Sequence, residues 1–174
     1  MNGIIIYKGK YGATHQYAQW LGEELGLKVN LANNVKPVDL AAFDFFILGS
    51  SVYIGKLQLE DWLAKNESVL SGKKIFFFLV AGTPPSETEK LMEYIRKGIP
   101  ALVFHSCEYY FLPGKLDLKV LSWKDRFILK MGARLAKNPT DRANMLTPYD
   151  HVKKENLAPM LENIRRFRLE RKAV

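Results

Sequence analysis

The sequence predicts an α/β protein in which a parallel sheet is covered by helices on both sides. Short stretches at 4–7, 45–48 and 75–80 are apolar on both faces, as strands buried from two sides require. Segments of helical periodicity separate them, and parallel strands need such crossovers. All three stretches break into a polar or glycine-bearing turn at the C-terminal end, where open α/β sheets bind ligands.

The first unit, GIIIYKGKYGATHQYA at 3–18, reads as a buried strand, a glycine turn and a helix start at Thr14. Gly9 and Gly12 let the backbone approach a ligand or take positive φ. Such a loop aims N–H groups, a hydroxyl and the positive end of a helix at one point, which suits a phosphate. It also serves as an ordinary βα turn with glycines for geometry alone.

Tyr17, Ala18, Leu21 and Leu25 repeat at helical spacing until Gly26 stops them. Residues 28–32 alternate as a shorter second strand, ended by Asn33, Asn34 and Pro37, and 40–43 is a brief helical turn or loop. Residues 45–51 form the third strand, and the loop SSVYIGK at 50–56 is expected beside the 9–14 loop. A helix follows over 59–70 with Leu59, Trp62, Leu63 and Val69 inward. The fourth strand, 74–80, is the most apolar run and therefore central; it opens into Ala81, Gly82, Thr83, Pro84 and Pro85. Ser86 is the expected cap of a helix over 86–97 with Glu87 and Glu89 in its first turn. Residues 101–111 are read as the fifth strand, 121–135 as a basic amphipathic helix and 151–167 as the closing helix.

At 174 residues, 48% of them apolar, the chain is expected to be one globular domain over 1–174. The single Cys107 cannot form an internal disulfide and fits a reducing compartment. No run approaches the ~18 consecutive apolar residues of a membrane span, and Met1 leads almost directly into the first strand. A soluble, unprocessed, cytoplasmic protein is expected.

The net charge of +8 is concentrated late, in Lys115, Lys119, Lys124, Arg126, Lys130, Arg134 and Lys137, then in Arg165, Arg166, Arg168, Arg171 and Lys172. Such charge serves an anionic small molecule, an acidic partner, a membrane surface or nucleic acid, or is simply solvated. No nucleic-acid reading motif accompanies it, so no nucleic acid is expected. His15, His105 and His151 lack metal spacing with each other or with Cys107, and no metal is expected. There is neither a Gly-x-Ser-x-Gly elbow nor a Gly-Lys-Ser/Thr phosphate loop. A phosphoacceptor site would need acids at the end of the first strand, where Tyr7 and Lys8 stand.

Three motifs carry a resemblance over the whole chain: GKYGAT at 9–14, FFILGSSVYIGKL at 45–57, and LSWKDRFILKM at 121–131 near Pro113 and Gly114. With them the chain resembles the flavodoxin-like FMN-binding domains, and within these the branch containing the menaquinone-dependent protoporphyrinogen oxidases. The resemblance implies a three-layer α/β/α fold with five parallel strands in the order 2-1-3-4-5, and an extra basic segment after the fifth strand that makes 112–138 an insertion. It implies noncovalent FMN, with the phosphate on Gly9, Lys10, Tyr11, Gly12, Ala13 and Thr14. Ser50, Ser51, Val52, Tyr53, Ile54 and Gly55 would flank the ring, with Tyr53 or Ile54 on its face, and Ala81, Gly82 and Thr83 would meet its pyrimidine end.

Gly9 stands where the family pattern usually has Ser or Thr, so one hydroxyl donor is missing. Lys8 and Lys10 are candidates to compensate, or are solvated loop charges. No catalytic side chain is assigned, because the flavin carries the electrons. The implied activity is oxidation of protoporphyrinogen IX, in haem biosynthesis, with a quinone or redox protein as partner. The other reading is an electron carrier with no small-molecule substrate of its own. Leu121, Trp123, Phe127, Ile128 and Leu135 of the basic segment either pack on the sheet edge or form a docking face at 115–137 for a membrane, quinone or porphyrin. Docking there would put the protein at the inner face of the membrane.

Overall fold

Strict alternation of apolar side chains along three central strands divides the molecule into layers, because successive residues of a strand point to opposite faces. The computed structural model describes residues 1–136 and 138–171. Its elements are β1 (Gly3–Lys8), α1 (Ala13–Leu25), β2 (Val29–Leu31), α2 (Pro37–Leu40), β3 (Phe45–Tyr53), β4 (Lys56–Leu57), α3 (Glu60–Leu70), β5 (Lys74–Ala81), α4 (Thr88–Gly98), α5 (Ala101–Phe104), β6 (Cys107–Pro113), β7 (Lys115–Leu116), α6 (Trp123–Leu135), α7 (Pro139–Leu146), β8 (Tyr149–Asp150) and α8 (Ala158–Glu170). Lys137 and Lys172 of the basic stretches lie outside the described residues.

Ile4, Ile6, Phe46, Leu48, Ile75, Phe77 and Leu79 face one core with Trp62 and Leu63 of α3 and Leu91 and Ile95 of α4. Ile5, Phe45, Ile47, Phe76, Phe78 and Val80 face the other, with Tyr17, Ala18 and Leu21 of α1 and Met160, Leu161 and Ile164 of α8. The strand order is β2-β1-β3-β5-β6, and every one of these pairings is parallel. This three-layer α/β/α sheet has the expected order 2-1-3-4-5 once the two-residue β4 is set aside. β4 pairs antiparallel with the end of β3, through a turn in which Ile54 and Gly55 both have positive φ, 48° and 74°. Positive φ at both central residues matches the twist of a tight hairpin.

The fifth strand differs from the expectation over 101–111. Residues 101–104 form the short helix α5, because Pro100 starts a helical turn whose carbonyl accepts from the Val103 and Phe104 N–H groups, each at 3.0 Å. The strand begins only at Cys107. The fourth helix starts at Thr88, with Glu87 rather than Ser86 at its cap and no side-chain cap bond. The closing helix is a 3-10 turn, Lys154–Leu157, followed by α8.

After β6 the chain leaves the sheet. Lys115 and Leu116 of β7 pair antiparallel with Asp150 and Tyr149 of β8, so the intervening stretch, with α6 and α7, is an arm closed by a two-stranded ladder. No helix among the described residues is long and apolar enough to cross a membrane.

Candidate functional site

The crevice lies where β1, β3 and β5 end. The first of its loops owes its shape to two glycines. Gly12, at φ 84°, is the N-cap residue of α1, and neither a side-chain cap bond nor an acidic residue occupies the helix start. The helix therefore presents N–H groups and positive dipole to the crevice. Thr14 is 1% exposed, and its hydroxyl oxygen is buried with no hydrogen-bond partner. An orphaned buried hydroxyl is costly unless a ligand completes it. Gly9 explains how it fits: a Cβ at that position would lie 2.5 Å from Thr14 Oγ1 and 2.7 Å from its Cβ. The absence of Ser or Thr at position 9 is thus the space that Thr14 occupies.

A cavity of about 100 Å³ joins the loops, lined by Lys10, Tyr11, Ala13 and Thr14 of the first, Ser51, Val52 and Tyr53 of the second, and Val80, Ala81 and Gly82 of the third. Gly114 and Lys115 complete it. Thr83 lines the adjoining cavity of about 510 Å³, with Pro84, Tyr149, His151 and Lys153. Ile54 and Gly55 are exposed at the tip of the β3–β4 hairpin, outside both. The fully buried Ser50 hydroxyl accepts from Leu59 N–H at 3.2 Å and donates to the Ser51 carbonyl at 3.1 Å, so it secures the second loop from within. Lys8 stands apart, beside Ile54 and Asp61.

Sequence reasoning missed Asp125. It is 7% exposed, and its carboxylate gathers side chains from both loops. Lys10 Nζ donates to Oδ2 at 2.7 Å, the Tyr11 hydroxyl donates to the same oxygen, and the Tyr53 hydroxyl donates to Oδ1 at 2.5 Å. Lys10 also donates to Tyr53 Oη at 2.9 Å and lies 4.2 Å from that ring's centroid. The hydrogen bond to Asp125, then that to Tyr53, raises Lys10 above the ordinary lysine value. The signal for Asp125 was present in the sequence as an acid within the run from Lys119 to Arg134. Lys115 was legible as charge but not as a site residue; its ammonium is 3.9 Å from where a Gly12 Cβ would stand.

The rest of α6 turns outward. Ser122 caps it by accepting from Asp125 N–H at 3.2 Å, and the Arg126 guanidinium donates to the Leu121 and Lys119 carbonyls at 3.1 and 2.9 Å. Leu121 is buried, but Trp123, Phe127, Met131 and Leu135, four residues apart along one stripe, are exposed, Trp123 by 75% and Leu135 by 78%. Elsewhere, Tyr17 Oη donates to the Pro113 carbonyl at 3.0 Å and accepts from Asn156 at 2.8 Å, tying α1 to the end of β6. Among the described residues no group of three or more His, Cys, Asp or Glu is arranged to hold a metal.

A crevice at the carboxyl ends of parallel strands, with a helix start and an unsatisfied hydroxyl at its floor, defines a ligand-binding doubly wound protein. The sequence matches the flavodoxin domain family over residues 4–143, most of its length, and the chain belongs to that family. Membership indicates FMN as the cofactor, and the unpartnered Thr14 hydroxyl at the start of α1 fits its phosphate. Among curated proteins the chain is similar to protoporphyrinogen IX dehydrogenase [quinone] of Escherichia coli K12, 23% identical over 168 residues that cover 91% of this chain and 93% of that one. Among solved structures it is similar in fold to flavodoxin 2 of Bacillus cereus, with 21% identity, TM-score 0.51 and coverage of 65% of this chain and 84% of that one. Two-electron reduced Megasphaera elsdenii flavodoxin gives 16% identity, TM-score 0.50 and coverage of 64% and 85%.

Proposed function

We propose that this flavodoxin-family protein is an FMN-dependent oxidoreductase that removes electrons from protoporphyrinogen IX, in haem biosynthesis, and delivers them to a menaquinone-type acceptor. The E. coli relative is named a protoporphyrinogen IX dehydrogenase [quinone]. The observation that carries the reading here is the placement of α6: its buried Asp125 is tied to two loops of the crevice, while its exposed stripe of Trp123, Phe127, Met131 and Leu135 faces outward beside Lys124 and Lys130. An amphipathic basic helix of this kind lies in a lipid interface, where a quinone resides. Positive charge at the rim also collects the propionates of a porphyrinogen.

In this reading the phosphate rests on Gly9, Lys10, Tyr11, Gly12, Ala13 and Thr14, with Thr14 giving its hydroxyl and N–H. Ser51, Val52 and Tyr53 form the wall beside the ring, with Ser50 bracing it from within and Ile54 and Gly55 at the hairpin tip beyond it, and Ala81, Gly82 and Thr83 meet its pyrimidine end. FMN, when bound, supplies the electron chemistry, and the chain supplies the binding, the orientation and the field. Tyr53, which bonds Asp125 and Lys10 in the structure, belongs to that wall. The chain is read as one domain over 1–174 with 112–138 as an insertion; the β7–β8 ladder closes the longer stretch between Leu116 and Tyr149. The protein works in the cytoplasm, at the inner face of the membrane.

The test is turnover of protoporphyrinogen by flavin-loaded protein with and without a menaquinone analogue. Quinone-dependent oxidation above that of free FMN is expected. Turnover equal to free FMN removes the assignment, and if a partner reductase still reduces the bound flavin, the protein is an electron carrier.

A further inference from the structure

We propose that Asp125 is a positioning residue whose contacts make flavin uptake and the seating of α6 one equilibrium; the proposal rests on the flavin reading above. Ligand clefts run to roughly 300–1,000 Å³, whereas the cavity between the three loops holds about 100 Å³. The adjoining cavity of about 510 Å³ shares Ala81, Gly82 and Gly114 with it but has neither Thr14 nor Tyr53 in its lining. A flavin that reaches from Thr14 to a ring wall at Tyr53 therefore enters only if part of the smaller cavity's lining swings away. Val80 and Ala81 belong to the central strand β5, and Thr14 is locked into α1. Besides Lys115, the walls free to move are the side chains of Lys10, Tyr11 and Tyr53, and these three all donate to Asp125.

The carboxylate thus closes the crevice by gathering the side chains that a flavin must displace. Apart from its packing on α7, its own helix has little other attachment: within α6 only Asp125 and Ala133 are buried. Parting the cluster to admit the ring loosens α6 and its outward stripe. It also frees the Lys10 ammonium, which lines the same cavity as Thr14, to turn toward the phosphate. The closed cluster is the resting arrangement, and the loaded protein has the cluster parted.

Hydrogen–deuterium exchange over 123–135 and 50–55, in the full chain with and without FMN, tests this in wild type, Asp125→Asn and Tyr53→Phe. FMN uptake is followed separately by flavin fluorescence. Without FMN, D125N exchanges faster than wild type in both segments; FMN accelerates exchange of 123–135 in wild type and adds nothing in D125N. D125N binds FMN roughly tenfold more tightly, the equivalent of one charge-assisted hydrogen bond no longer broken on entry. Tyr53→Phe, which removes one hydroxyl and no volume, moves both readouts in the same direction by less, so that a D125N that fails to fold leaves the question answerable. Uptake of FMN with α6 exchange unchanged, or weaker FMN binding by folded D125N, overturns the coupling alone. No uptake by wild type removes the flavin reading and the coupling with it.

Discussion

Lys10 of the first βα loop and Asp125 of α6 lie 115 residues apart in sequence and meet at 2.7 Å in the structure. Lys10 is 39% exposed and Asp125 7%, so the pair sits at the rim with its acid inside. An exposed ion pair stabilises little by itself, because water screens the lysine. Its importance is geometric: Tyr11 and Tyr53 close on the same carboxylate, so the arm after β6 is fastened to the loops after β1 and β3.

Thr14→Val separates binding from folding. Its hydroxyl has no partner within the protein, so removing it at constant shape leaves stability unchanged or slightly higher. FMN affinity falls by ~1.5–3 kcal/mol, the value of a hydrogen bond to a charged group. Thermal melting and FMN titration of the same variant check both signs, and a loss of stability with unchanged affinity would show the hydroxyl to be structural.

Gly9→Ser restores the residue type usual in the family yet weakens this protein. The new Cβ would stand 2.5 Å from Thr14 Oγ1, and the displacement is expected to cost ~1–3 kcal/mol of stability and to lower FMN affinity. Urea unfolding and FMN titration measure it. Tighter FMN binding by the Gly9→Ser variant contradicts the account of Gly9 as space for Thr14.

Phe127→Glu reverses the character of the exposed stripe on α6 without touching the core. Co-sedimentation with anionic vesicles is expected to fall several-fold while the melting temperature stays within about 2 °C, as surface changes usually allow. Wild-type binding should also weaken with added salt. Equal sedimentation of wild type and variant removes the stripe from lipid contact.

Alkaline pH destabilises the fold through β6. Burial pushes the Cys107 thiol from 9.0 up to about 12, and burial also raises Tyr109 and Tyr110 above the ordinary tyrosine value. Between its unfolded and folded values such a group keeps its proton only in the folded chain, so stability is full below the unfolded value and falls as pH rises. For Cys107 the window runs from 9.0 to about 12, with a slope of ~1.4 kcal/mol per pH unit while the group is wholly within it. Urea midpoints at pH 7.5, 9 and 10.5 (about these values) should hold nearly level between the first two and decline at the third, and Cys107→Ala should make the decline shallower. A flat profile contradicts the burial argument.

The layers were legible because the strands declare themselves: Ile4 to Ile6, Phe45 to Leu48 and Ile75 to Val80 are apolar on both faces, which only a covered parallel strand needs. The loops followed, since each lies at the end of such a strand. The fifth strand was misplaced at its start because Ala101, Leu102, Val103 and Phe104 suit a strand by composition, and only the Pro100 carbonyl turns them into a helix. Asp125 was not legible as part of the site, because its meaning depends on contacts 72 to 115 residues distant. The outward turn of Phe127 and Leu135 was equally hidden, for an amphipathic pattern does not say which face is covered.

The central claim is that the cofactor is held by its phosphate at the 9–14 loop. Parallel titrations of the protein with FMN and with riboflavin, which lacks the phosphate, test it directly. FMN should bind at least about a hundredfold more tightly, as loss of the charge-assisted contacts requires. Equal affinity for the two would contradict the account.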